Sequence, residues 1–280
     1  MAGAKRILIA DADPGVHELL RTVLEGPGRK VDSAYGVLEA LRAVGSVRYD
    51  VVLADVGMVG PDGPELLERL RELGPAVKVV VMTVESTPER IVRAIREHAF
   101  AYFSKPFAAR AVADMVGKGL ESAPQEDDIQ VVSASPRWLS FRVRCKMETA
   151  ERIVQFLREL PTDLPLGERE NIASAIREIL VNSIEHGCDS DPEKQVRISY
   201  VRTERAIIYH VGDPGSGFSF GDLSHAAVSN RAEAPFEHSE VRDRLGMRPG
   251  GFGILLARHM VDELIYNEAG NEALLIKYLV

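Results

Sequence analysis

Along the first ~120 residues, short apolar runs alternate with amphipathic segments. Arg6–Ala10, Lys30–Ala34, Val51–Ala54, Val77–Met82 and Phe100–Phe103 read as strands, mostly continuous apolar runs of the kind a sheet covered on both faces requires. Between and after them, Pro14–Glu25, Val37–Val44, Pro64–Leu73, Thr87–His98 and Ala108–Leu120 carry the helical period. Asp13 with Pro14 forms a start signal for the first helix, and Gly74-Pro75 a stop for the third. Five strand–helix units in a row predict an α/β fold with a doubly wound, five-stranded parallel sheet over residues 1–120.

Residues 121–129, Glu-Ser-Ala-Pro-Gln-Glu-Asp-Asp-Ile, break the period and predict an exposed linker. The pattern changes in 130–280. Gln130–Ser133 and Trp138–Arg144 read as strands, and Ala150–Leu160 as an amphipathic helix. A longer helix starts near Glu168, with Ile172, Ala175, Ile176, Ile179, Leu180 and Ile184 on its buried face and Gly187 as its expected C-cap. Gln195–Arg202 and Ala206–Val211 predict a hairpin, 221–249 is long and weakly patterned, and glycines at 250, 251 and 253 open one more helix before two closing strand segments.

Composition narrows the class. The 280 residues carry a net charge of −8 with no basic stripe, which argues against direct nucleic-acid binding. No apolar run is long enough to span a membrane and no signal peptide is evident, so a cytoplasmic protein is expected. Two cysteines, Cys145 and Cys188, predict no disulfide framework, with Cys188 in an exposed loop. The only tryptophan, Trp138, is expected in the core.

In a doubly wound sheet, chemistry collects at the carboxyl ends of the strands. There stand Asp11, Asp55, Thr83 and Lys105: two acids able to hold a hard cation, one also a nucleophile, with a hydroxyl and an ammonium to stabilise phosphoryl oxygens. With Asp55-Val-Gly-Met58, Asp62-Gly63 and Tyr102-Phe-Ser-Lys-Pro-Phe107, residues 1–120 resemble the receiver domain of bacterial response regulators. The resemblance implies Asp55 as phosphoacceptor, Asp11, Asp55 and the Gly57 carbonyl as Mg²⁺ ligands, Thr83 and Lys105 as phosphoryl contacts, and Tyr102 as the aromatic that turns on phosphorylation. The chain departs from that pattern at Ala12, where a second acid normally binds the metal, and at Val59, where proline is usual. Weak or slow phosphorylation is therefore expected, and a receiver used for docking or dimerisation is the alternative.

In the second half, Glu178 and Asn182 lie four apart on one helix face, a carboxylate fit to accept a proton and an amide oxygen fit for Mg²⁺. Asp213-Pro-Gly-Ser-Gly217 ends a strand with an acceptor for an exocyclic amine and two glycines for close approach. Together with Gly250-Gly-Phe-Gly253-Ile, these motifs make 130–280 resemble the GHKL (Bergerat-type) ATP-binding domain, an α/β sandwich with a mixed sheet covered by helices on one face. The likeness is nearest to the anti-sigma-factor serine kinases. It implies ATP and Mg²⁺ as cofactors, Asn182 on the metal, Asp213 on adenine, Gly215 and Gly217 shaping that pocket, Gly251 and Gly253 closing over the phosphates, and Glu178 as catalytic base. No histidine lies between His98 and His186, so transfer to a separate protein is expected rather than autophosphorylation. The implied partners are an anti-sigma-factor antagonist of STAS type, a sigma factor, an upstream histidine kinase as phosphodonor, and a second copy in a homodimer. A non-catalytic, ATP-gated binding module uses the same pocket and stays open as an alternative.

Overall fold

The computed structural model describes residues 4–58, 66–67, 70, 77–122, 128–135, 137–161, 163–219, 227, 237–244 and 251–279. The chain divides into two compact units, Met1–Asp128 and Ile129–Val280.

In the first unit, β1 (Lys5–Ala10), β2 (Arg29–Ala34), β3 (Val51–Asp55), β4 (Lys78–Thr83) and β5 (Ala101–Ser104) form a sheet in the order β2-β1-β3-β4-β5. Every pairing is parallel. Helices α1 (Pro14–Leu24), α2 (Val37–Ser46), α3 (Pro88–Arg96) and α4 (Ala109–Glu121) connect or follow these strands. Val51–Ala54 and Val79–Met82 are buried throughout, which is why they read as unbroken apolar runs rather than alternating ones. Leu20 and Leu24 of α1 and Val112 and Val116 of α4 pack on Ile7, Ile9, Leu53 and Met82. The expected helix Pro64–Leu73 falls mostly outside the described residues; Leu66, Leu67 and Leu70 are helical and buried. The strand order reverses between β1 and β3, and their carboxyl ends frame the crevice that receives Asp11 and Asp55.

In the second unit, β6 (Ile129–Ser135), β7 (Trp138–Arg144), β8 (Gln195–Arg202), β9 (Ala206–Gly212), β10 (Glu263–Tyr266) and β11 (Glu272–Tyr278) form a six-stranded sheet in the order β10-β11-β9-β8-β7-β6. All its pairings are antiparallel, so the expectation of a mixed sheet is corrected. One face buries Leu139, Tyr200, Tyr209 and Leu275 beneath α5 (Met147–Glu159), α6 (Leu166–Asn182) and α8 (Gly253–Met260). A buried ion pair ties α5 to α6: Arg169 Nη2 donates to Glu159 Oε2 at 2.5 Å, and Gln155 donates to the other oxygen at 3.2 Å. The opposite face carries Trp138, which is 57% exposed rather than in the core, because its position in the alternation of β7 points it away from the helices.

The cysteines are a second correction. Cys145, after β7, and Cys188 are both buried and joined as a disulfide, with Cα atoms 6.4 Å apart. Sequence spacing gave no sign of it, because the 43-residue separation is closed by the fold and not by any local pattern. No helix among the described residues is long and apolar enough to cross a membrane.

Candidate functional site

The first constellation forms at the β1–β3 carboxyl edge. Asp11 and Asp55 are buried, and the Lys105 ammonium lies between them, donating to Asp11 Oδ2 at 2.7 Å and Asp55 Oδ2 at 2.6 Å. Burial disfavours the ammonium, but the hydrogen bonds to Asp11 and Asp55 outweigh it and hold the Lys105 pKa above its ordinary value. Asp55 Oδ1 accepts from the Gly57 amide at 2.7 Å, and Asp11 Oδ1 from the Asp13 amide at 3.0 Å. The Thr83 hydroxyl is buried and closes a turn with the backbone of Glu85. Asp55, Gly57, Thr83 and Tyr102 line one cavity of about 510 Å³, with Arg90 and Arg93 on its wall. The structure thus brings Asp11, Asp55, Gly57, Thr83 and Lys105 together. Val59, Asp62 and Gly63 lie outside the described residues.

The donor set suits a hard cation through Asp11 and Asp55 but is one carboxylate short. Ala12 is exposed, and the neighbouring Asp13 does not substitute: its Oδ1 caps α1 by accepting from the Gly15 amide at 2.8 Å. One residue escaped sequence reading. His17 is buried beneath this edge, its Nε2–H donating to the Asp11 carbonyl at 2.8 Å and its Nδ1 2.9 Å from Ser33 Oγ. A carbonyl only accepts, so Nε2 carries the proton. A lone histidine on a helix has no pattern that could have announced this contact.

The second constellation is built on the end of α6. The helix stops at Asn182 and is followed by a π-helical turn, Ser183–Gly187, in which the Cys188 amide donates back to the Ser183 carbonyl at 2.8 Å. Such turns insert one extra residue and recur at functional sites. Gly187 is therefore not a left-handed cap: its φ is not positive. It is glycine because a β-carbon there would lie 2.2 Å from Asp213 Cγ. Gly215 closes the same contact from the other side, where a β-carbon would lie 2.7 Å from the Gly187 Cα.

Asp213 follows β9. Its amide donates to the Asn271 carbonyl at 3.0 Å, and its Oδ1 accepts from the Gly215 amide at 2.9 Å. Burial raises its pKa, helped by the nearby Glu272 charge, while hydrogen bonds from the Gly215 backbone and the Ser183 hydroxyl oppose the rise. Gly217 takes a positive φ of 75° and packs against the Ala269 carbonyl, a place no side chain fits. Asn271 Nδ2 donates to the Gly215 carbonyl at 3.0 Å, so the β10–β11 connection forms the back wall of this loop. The Asp213 carboxylate, in a half-buried notch lined by two glycines, is an acceptor suited to an amine on a flat heterocycle.

Glu178 and Asn182 stand one turn apart, as their spacing predicts, and Gly253 reaches both. A β-carbon on Gly253 would lie 2.7 Å from Glu178 Oε2 and 3.8 Å from Asn182 Nδ2. The amino end of α8, with no side-chain cap bond, therefore opens beside the carboxylate and the amide, a place suited to anionic oxygens. Gly251 has a positive φ of 93°, and its carbonyl accepts from the Ala227 amide at 2.8 Å. The expected loop 221–249 falls mostly outside the described residues. Within it, α7 (Glu237–Arg244) places the buried His238 ring 4.5 Å from the Phe252 ring. The residues thus fit a magnesium nucleotide: an acceptor notch for the base, a helix amino end for phosphates, and an amide oxygen for the metal.

Comparison with known proteins finds a match for each of the two units. The family model described as response regulator receiver domain matches residues 7–117, and that described as histidine kinase-like ATPase domain matches 143–277. Among curated proteins, the chain is 33% identical over 116 residues to sporulation initiation phosphotransferase F of Bacillus subtilis, covering 41% of this chain and 94% of that one. It is 31% identical over 134 residues to the response regulator protein FleR of Pseudomonas aeruginosa, covering 48% of this chain but only 28% of FleR. Among solved structures, a CheY-like receiver domain protein from Methanospirillum hungatei matches at 28% identity and a TM-score of 0.40, covering 42% of this chain and 95% of that one. A receiver followed by an ATPase domain indicates two-component signalling with an ATP-binding unit.

Proposed function

We propose that this chain, which belongs to the response regulator receiver family and carries a histidine kinase-like ATPase domain behind the receiver, is a receiver-controlled, ATP-dependent protein-serine kinase. Its substrate is a separate protein, an anti-sigma-factor antagonist of STAS type, and a sigma factor is a second, competing partner. An upstream histidine kinase charges Asp55, and two copies pair through their ATP-binding units.

The observation that carries the reading is the placement of Glu178 Oε2 against Gly253 at the amino end of α8, one turn from Asn182. Asp213 accepts the hydrogen bond of the base. Asn182 would offer its amide oxygen to the metal, and the amides at the amino end of α8 would hold the phosphates. Bound Mg²⁺ATP supplies the phosphoryl group and the charge neutralisation. Glu178 would take the proton of the incoming serine hydroxyl as that oxygen bonds to the terminal phosphorus and the bond from phosphorus to the departing ADP oxygen breaks; the remaining contribution is positioning. The absence of any histidine between His98 and His186 favours a protein substrate over a histidine within the chain.

Two variants test this. Asp213→Asn should abolish ATP binding in calorimetric titration. Glu178→Gln should bind ATP as the wild type does while phosphate transfer to the serine substrate falls by roughly a hundredfold or more. Unchanged transfer in Glu178→Gln removes the base from the mechanism, and a wild type that binds no ATP removes the whole reading.

A further inference from the structure

The two cysteines of the chain meet at the turn that shapes the notch around Asp213. Cys188 closes the π-helical turn Ser183–Gly187: its amide donates to the Ser183 carbonyl at 2.8 Å, and the Ser190 amide donates to the Ile184 carbonyl at 2.8 Å. The turn follows directly on Asn182 and presents two groups to Asp213, the Ser183 hydroxyl and the bare Cα of Gly187. Cys145 stands at the end of β7, where its amide donates to the Lys194 carbonyl at 3.1 Å. The disulfide thus fastens the turn to the sheet.

We propose that this disulfide is a redox switch on the nucleotide site: the oxidised chain binds ATP tightly, and reduction to two thiols loosens the notch and weakens ATP. The inference rests on the nucleotide reading above and adds a regulation of that same site.

Three features separate the bond from a structural staple. A unit of about 150 residues builds a core of its own, and covalent ties serve mainly smaller domains. Directly after Cys188 come two non-glycine residues with positive φ, Asp189 at 54° and Ser190 at 57°. Such strain persists only where the surroundings hold it, so freeing Cys188 gives this segment a way to relax. The notch also has no slack, since a β-carbon on Gly187 would lie 2.2 Å from Asp213 and one on Gly215 would lie 2.7 Å from the Gly187 Cα. Cys145 and Cys188 are both buried, and two unbonded thiols need more room than two bonded sulfurs. The turn must shift to give that room, and it carries Ser183 and Gly187 with it.

The reductant is a thiol. Asp189 and Ser190 are exposed, so a local opening of their loop brings the Cys188 sulfur within reach. A reductant thiolate attacks that sulfur, the bond to Cys145 breaks, and Cys145 leaves with the electron pair and takes a proton. A second thiolate then attacks the reductant's own sulfur in the mixed disulfide. Cys188 leaves with that pair and takes the second proton, and the two reductant thiols depart joined as a disulfide. Two electrons and two protons have passed to the protein. ATP bound against Asp213 holds the turn and opposes the opening.

The full-length chain is equilibrated in buffers of graded glutathione and glutathione disulfide, and its thiols are counted by alkylation and mass. ATP with Mg²⁺ is titrated calorimetrically into the fully oxidised and the fully reduced protein. The dithiol form should bind ATP roughly tenfold more weakly, inside the 5- to 150-fold range of coupled sites. Coupling is reciprocal, so ATP saturating both forms should raise the ratio of squared thiol to disulfide at half-reduction by that same factor. The double variant Cys145→Ala/Cys188→Ala should bind ATP alike in every buffer, and the wild-type measurements stand without it.

Equal ATP affinity in the two states overturns the switch and leaves the nucleotide pocket standing. ATP binding in neither state overturns both. Thiols that stay free in every buffer overturn the switch, and so does a half-reduction ratio that ATP leaves unmoved. A reduced chain that unfolds at the assay temperature overturns it too, because the bond would then be a staple. An affinity shift that the double variant also shows does the same, because it would arise away from the cysteines.

Discussion

Gly187→Ala is the sharpest test of the proposed adenine notch. The added β-carbon would lie 2.2 Å from both Cγ and Oδ1 of Asp213 and 2.6 Å from Oδ2. Carbon atoms settle at ~3.5 Å or more, so the carboxylate must retreat by about 1.3 Å. It cannot do so and keep its bonds, since the Gly215 amide and the Ser183 hydroxyl hold it in place. Losing two hydrogen bonds at about 1 kcal/mol each, with partial repacking of an overfilled site, gives about 2–4 kcal/mol of destabilisation. For a unit of this size that is a fall in melting temperature of roughly 5–15 °C. Displacing the acceptor for the base removes a charge-assisted hydrogen bond, about 1.5–3 kcal/mol, so the ATP dissociation constant should rise about 10- to 150-fold. Scanning calorimetry gives the first number and isothermal titration below the new midpoint gives the second. A variant that melts and binds ATP like the wild type would refute the close packing of Gly187 on Asp213 and, with it, the assignment of the notch.

Other outcomes follow from the same structure. Gly117→Ala, within α4, puts a methyl group where nothing lies within 4 Å and should stabilise the receiver unit by about 0.5–1 kcal/mol in urea unfolding; destabilisation would show that the helix is not continuous there. Glu159→Ala removes the carboxylate partner of the buried Arg169 guanidinium and should cost about 3–5 kcal/mol in the ATP-binding unit, whereas replacing both partners with apolar residues should recover most of the loss; equal costs for the single and double variants would contradict this. Ala12→Asp restores the missing carboxylate beside Asp11 and should tighten Mg²⁺ by roughly tenfold while raising acyl phosphate incorporation at Asp55; wild-type incorporation as fast as the variant's at millimolar Mg²⁺ would show that the site lacks nothing.

The receiver fold was legible because both faces of its sheet are covered, so its strands appear as unbroken apolar runs between amphipathic helices. The convergence of its candidate residues was legible for the same reason: strand ends are visible, and Asp11, Asp55, Thr83 and Lys105 stand on them. The substitution of Ala12 and the capping role of Asp13 could also be read locally, from one residue of offset and the proline that follows. What escaped was whatever depends on two distant segments meeting. Cys145 and Cys188 close a 43-residue separation, and His17 reaches the Asp11 carbonyl from inside its helix. Trp138 was misplaced because hydrophobicity says only that a large side chain prefers burial, while the parity of β7 decides which face it occupies.

Gly187 shows the limit most clearly. The run from Ile172 to Ile184 keeps a helical period, and a glycine after such a run reads as a cap that needs a positive φ. The chain instead widens into a π turn, with the Cys188 amide reaching back five residues to Ser183. That extra residue carries Gly187 against the carboxylate after β9 and turns the Ser183 hydroxyl onto the same group. Glycine is required there for its missing side chain and not for its backbone freedom, and only the position of Asp213, 26 residues later in the chain, distinguishes the two demands. The helix end and the strand end therefore define one another, and a substitution at either should be felt both in the stability of the unit and in nucleotide affinity.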